Sequence, residues 1–153
     1  MKKIICRSAV FIGTVAGLSC LHTSIPTTVG LVGTYRLIEA TTIRGHDTTR
    51  TMIDSSKTEM IKIFNDAYFS FFNHDKFRGK DSTALFVSGA GKYKLDGTTY
   101  TEHLEYCTAR AWEGRTFTFD LSMRGDTLIQ EGREELPDQG VMQTIKEIYV
   151  KVK

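Results

Sequence analysis

Chemistry in this 153-residue chain rests on four histidines, three cysteines and 18 acidic side chains. Their densest grouping is TYTEHLEYC, residues 99–107. In an extended chain alternate residues fall on opposite faces. Tyr100, Glu102, Leu104 and Tyr106 then share one face, and Thr101, His103, Glu105 and Cys107 the other. A His/Glu/Cys row can touch a metal ion, but same-face neighbours on a strand stand about 7 Å apart, two residue rises. No closed four-ligand spacing exists elsewhere. The row reads as a solvated outer face, and no metal or other cofactor is expected.

The opposite face poses the sharper question, because it is apolar and still carries Glu102 at its centre. Carboxylate pairs are available: Glu102 with Glu147, if their strands are neighbours, and Glu134 beside Glu135. Such a pair suits general acid–base work of an isomerase or cyclase type. The chain has no Gly-x-Ser-x-Gly elbow, no His-Glu-x-x-His and no glycine-rich loop between a strand and a helix. SGAG (88–91) precedes a strand and reads as a bend. RGD (124–126) supplies the Gly-Asp that a hairpin turn asks for, whatever its use. The expectation is a binding protein, not an enzyme.

The elements that must position these residues are almost all strands. GTYRLIEA (33–40) is rich in strand formers. KTEMIKIFN (57–65) and AYFSFFN (67–73) flank a turn at Asn65-Asp66, and GKYKLD and TTYTEHLEYC flank Asp96-Gly97. RTFTFDLSM (115–123) alternates strictly, with Phe117, Phe119, Leu121 and Met123 on one side. TLIQEGRE (127–134) and TIKEIYVKVK (144–153) complete about eight strands. A capped helix starting at Ser55, with Ser56 and Glu59 as a capping box, competes with the strand at 57–65; Ile61, Ile63 and Phe64 favour the strand. ELPDQGVMQT (135–144) has room for one helical turn.

Antiparallel strands joined this closely hide their edges best by closing into an up-and-down barrel. The predicted fold class is therefore an all-β, antiparallel β-barrel of about eight strands. In a barrel with a cavity, Glu102 lines a ligand pocket. Tyr93, Tyr100, Glu102 and Tyr106 would fix a ligand's polar end, and Phe69, Phe71, Phe117, Phe119 and Leu121 would hold its body. In a filled barrel, Glu102 needs a buried partner, with Arg36 or Arg133 available. The two long polar connections, 41–56 and 73–86, belong at the mouth of such a cup. Arg44, Arg50, Lys76, Arg78 and Lys80 would make that rim basic and favour an acidic head group.

The N-terminus reads as an export signal. MKKIICR carries Lys2, Lys3 and Arg7, and SAVFIGTVAGL is an apolar run of signal-peptide length. Cleavage either precedes Cys20, which would then be acylated as a lipoprotein anchor, or follows Gly17. The division is a signal peptide over 1–19, a flexible tether over 20–32 and the barrel over 33–153. Loss of the leader takes three of the 20 basic side chains, leaving 17 against 18 acidic ones. That balance argues against nucleic acid as a partner.

VGTYRLIEA (32–40), GAGKYKLDGTTYTEHLEY (89–106) and the closing EIYVKVK (147–153) resemble bacterial lipocalin-like, calycin-class exported domains. The resemblance implies an antiparallel barrel with a small-molecule cavity, generally without catalysis. Tyr35 stands where the usual signature has Trp, and the chain's one Trp is Trp112. The reading adopted is an exported, lipid-anchored protein of the bacterial cell envelope, or a periplasmic or secreted one without acylation, that binds a small hydrophobic molecule. The alternative is an envelope protein-interaction module with a filled barrel and no ligand.

Overall fold

The computed structural model describes residues 30–80 and 82–153. The signal peptide, cleavage site and tether expected from the sequence, with Cys20, lie outside the described residues, save for the tether's last three positions.

Among the described residues nine strands follow one another: β1 (Gly33–Arg44), β2 (Asp47–Met52), β3 (Thr58–Phe64), β4 (Tyr68–Asp75), β5 (Phe86–Asp96), β6 (Thr99–Cys107), β7 (Arg115–Arg124), β8 (Thr127–Leu136) and β9 (Val141–Lys151). All pairings are antiparallel, running β1-β3-β4-β5-β6-β7-β8-β9, and β9 pairs back onto β1. The sheet thus closes into a barrel of eight positions. β2 and β3 share one position: along one edge of β1, β3 pairs with Gly33 to Arg36 and β2 with Glu39 to Arg44. The polar stretch 41–56 is therefore mostly hairpin. Its strand residues 47–52 are exposed throughout, which is why it reads as a loop. Among the described residues no helix is long and apolar enough to cross a membrane.

Local chemistry explains the turns. Gly97 and Gly125 begin two-residue hairpin loops at φ 61°, a conformation open to glycine at little cost. Asn65 Oδ1 accepts the Ala67 and Tyr68 amides and folds the β3–β4 turn. Asp54 Oδ1 likewise accepts the amide and hydroxyl of Ser56, so the polar run before β3 closes as a turn and not as a helix. Short 3-10 turns occupy Arg110–Trp112 and Pro137–Gln139.

The short turns gather at one end of the barrel, which is filled. Tyr35, Leu37, Phe64, Phe69, Tyr100, Phe119, Leu121, Leu128 and Tyr149 are all buried there. Phe64 meets Tyr35, Tyr93 and Tyr100 edge to face, with centroids 5.9, 5.6 and 5.8 Å apart. The longer connections, 53–57, 76–85, 108–114 and 137–140, lie at the other end, together with the β1–β2 turn. A cup with a plugged floor results.

Two bulges set which side chains face inward. In β1 the register shifts between Leu37 and Glu39. In β6, Tyr106 pairs with Ala90 and Leu104 with Gly91, leaving Glu105 unpaired between them. A Cβ on Gly91 would lie 1.8 Å from the His103 carbonyl oxygen. Only glycine lets the backbones approach this closely.

Candidate functional site

Midway along the barrel the inward face of β3 reads Met60, Lys62, Phe64, and that of β6 reads Tyr100, Glu102, Leu104. The two charged positions meet: Lys62 Nζ lies 2.9 Å from Glu102 Oε2, and both side chains are almost fully buried. Lys62 also donates to Gln130 Oε1 at 2.8 Å. Its ammonium sits 5.0 Å from the Tyr100 ring centre and 5.2 Å from that of Phe69. The Tyr100 hydroxyl donates to the same Oε2 at 2.8 Å. Burial, then the adjacent Glu102 charge, pushes the Tyr100 phenol far up, so it remains a donor.

This polar layer forms the floor of a cavity of about 330 Å³ that opens toward the long connections. Phe71, Val87, Leu104, Cys107, Ala109, Trp112 and Phe117 supply its walls, and Glu102 and Glu134 its carboxyl groups. Trp112 comes from the β6–β7 connection, its ring 5.6 Å from that of Phe117. That connection is fastened by Glu113, which accepts the Cys107 amide and pairs with Arg110.

Glu102 spends both of its hydrogen bonds on Oε2. Every fully buried side-chain nitrogen or oxygen among the described residues has a partner. Oε1, with no such bond, is therefore open to the cavity. Glu134 accepts from the Gln143 amide, and Gln143 accepts from Arg44 Nε at 2.7 Å. Burial raises the Glu134 carboxyl to about 7, with the charges of Glu147 and Glu102 adding to the rise and Gln143 and Lys62 opposing it. Glu147, held by the Tyr149 hydroxyl at 2.7 Å, is also raised by burial. Three inward carboxyls thus face one buried ammonium.

The structure sorts the residues singled out in the sequence. Glu102, Phe71 and Phe117 line the cavity, and Tyr100 supports Glu102 from below. Phe69, Phe119 and Leu121 lie in the filled floor, 1–2 % exposed, packed away from the cavity. Tyr93 is at the closed end, its hydroxyl donating to the Asn65 carbonyl. Tyr106 is a correction: the bulge at Glu105 turns it outward, 65 % exposed, and brings Cys107 inward. The same bulge dissolves the His103/Glu105/Cys107 row; His103 remains outside, beside the Thr116 hydroxyl. The Glu102 partner is Lys62, whereas Arg36 pairs with Glu59 and Arg133 with Glu135. Glu134 and Glu135 point to opposite faces and form no pair.

The basic rim is also revised. Arg50 is held by both Glu39 oxygens at 2.7 Å, Lys76 by Glu59, and Arg44 is committed to Gln143. Sequence reasoning passed over Lys62, although a lysine in step with Met60 and Phe64 is the mirror of Glu102 between Tyr100 and Leu104. Gln130, in step with Leu128, carries the same signal.

No protein-family model matches the chain, and neither does any curated protein sequence.

Proposed function

We propose that this chain is a small-molecule-binding protein, exported and lipid-anchored at Cys20, that carries a largely hydrophobic ligand in the open half of its barrel and does no catalysis on it. The observation that carries the reading is the walled cavity of about 330 Å³, with one carboxylate oxygen of Glu102 open to it. Its size falls at the lower end of small-molecule sites, roughly 300–1,000 Å³. Aromatic and aliphatic walls with a few convergent polar groups fit an apolar body with one polar end. Export and anchoring draw on the leader and Cys20 alone.

A second reading, an interaction module working through its outer surface, draws on a different observation. Phe72, Phe86 and Tyr106 stand exposed on the outer faces of β4, β5 and β6, an arrangement that suits a protein partner. Native mass spectrometry on protein purified gently from cells, followed by organic extraction, separates the two. A reproducible bound mass in the metabolite or lipid range supports the carrier. A clean apo mass, with no thermal shift from a panel of small hydrophobic compounds, favours the module. Labelling with radioactive palmitate, lost in Cys20→Ser, tests the anchor.

A further inference from the structure

We infer that the cavity selects a molecule bearing a protonated amine on an aromatic or aliphatic body, with the Glu134 carboxylate and Glu102 Oε1 receiving the ammonium. This rests on the reading of the barrel as a small-molecule carrier and names the chemical class it takes.

Three observations converge on the assignment. The first is charge balance. Lys62 is consumed by Glu102 and Gln130, and the guanidinium of Arg44 bonds the Gln143 amide. No cation contacts the Glu134 carboxyl among the described residues, and its one partner is the neutral Gln143 amide. A second cation is what the lining is short of. The second observation is the unused acceptor, Glu102 Oε1, on a side chain only 9 % exposed. It opens into the same cavity as Glu134. The third is the wall. Trp112, Phe117 and Phe71 present aromatic rings, whose faces attract cations and repel carboxylates. An anionic ligand would meet Glu102 and Glu134 from two strands, with Lys62 already paired.

Protonation follows from the same geometry. Burial leaves Glu134 straddling its two states near neutrality, under the influence of Glu102, Glu147 and Lys62 and beside Gln143, with the Cys107 thiol across the cavity. An arriving ammonium holds Glu134 ionised, so binding releases a proton to solvent.

The test uses three probes with one indole body and different heads: tryptamine, indole-3-ethanol and indole-3-acetate. Calorimetry is run on the protein purified as cells process it, at about pH 8. Tryptamine is expected to bind at least about tenfold tighter than the alcohol, and the acetate at least about tenfold weaker. Glu134→Gln should bring tryptamine close to the alcohol. Titrations of the unaltered protein near pH 7, in buffers of different ionisation enthalpy, should show proton release with tryptamine and none with the alcohol. They decide the matter even if the variant fails to fold. Equal binding of all three probes, tightest binding of the acetate, or a tryptamine preference indifferent to Glu134 overturns the amine assignment and leaves the carrier standing. Failure of all three to bind counts against both.

Discussion

Lys62 Nζ and Glu102 Oε2 lie 2.9 Å apart in the middle of the barrel, and the pair divides it in two. Below it, toward the short turns, aromatic rings fill the interior. Above it the interior is open. Glu102 therefore has a buried partner and also a place in the cavity lining, through different oxygens. Oε2 closes the floor against Lys62 and Tyr100, while Oε1 belongs to the cavity.

A buried pair is far more sensitive to loss of one partner than to loss of both. Glu102→Gln strands the Lys62 ammonium with Gln130 and the ring faces, and should cost about 3–5 kcal/mol. Lys62→Met combined with Glu102→Gln should recover most of that. Urea denaturation of the two single variants and the double variant closes the cycle. Single losses that simply add would mean that the pair is not coupled.

Glu134 gives stability a pH dependence of definite sign. Its folded-state carboxyl is raised to about 7 from the usual 4.5. Below about pH 4.5 both folded and unfolded chains hold the proton, and the contribution is fully present. Between there and about pH 7 only the folded chain holds it, so stability falls as pH rises, by at most about 1.4 kcal/mol per pH unit. Glu147, raised by burial, acts in the same direction. Glu59 and Asp75 are lowered, by Lys76 and by the Gly79 and Leu85 amides respectively. Their contribution is lost only at lower pH, as pH falls through their folded values. Chemical denaturation from pH 5 to 8 should show the decline, with a shallower slope in Glu134→Gln. An unchanged slope in that variant would place the effect elsewhere.

The architecture was legible because period-two alternation survives over most of each strand that faces the core, interrupted only at the bulges of β1 and β6. β7 is the plainest case: Phe117, Phe119 and Leu121 point inward as their spacing demands. β2 was not legible, since Asp47–Met52 is exposed on both faces and offers no alternation. The site was half legible. Glu102 announces itself as a charge on an apolar face, and Lys62 does the same on β3, but which strands face each other is set by closure and register. Tyr106 failed for a local reason: one extra residue, Glu105, shifts the phase of the strand end. A bulge leaves little trace in composition beyond Gly91 across the pair.

That phase shift is open to a direct comparison. Tyr106→Ser removes an exposed ring and should leave stability within about 0.5 kcal/mol and small-molecule binding unchanged. Phe117→Ala removes a buried ring from the cavity wall and should cost about 3–5 kcal/mol and weaken binding. Melting curves and probe titrations on the two variants provide the check. A binding loss in Tyr106→Ser equal to that in Phe117→Ala would contradict the register.

Gly91 is the position at which the bulge stands or falls. A methyl group there meets the His103 carbonyl at 1.8 Å and the Glu105 amide nitrogen at 2.8 Å, both backbone atoms that cannot swing aside. Gly91→Ala must therefore separate β5 from β6 and open the barrel wall beside the cavity. A loss above about 4 kcal/mol is expected, in the exceptional range for one methyl group. Gly45→Ala is the control. Its Cβ meets nothing within 4 Å, and it suffers only the strain of φ +59°, on the order of 1–2 kcal/mol. Hydrogen exchange localises the damage: Gly91→Ala should lose protection at the β5–β6 amides, whereas Gly45→Ala should loosen only the β1–β2 tip. Equal effects from the two would mean that β5 and β6 have room to spare, and the inward turn of Cys107 would need another cause.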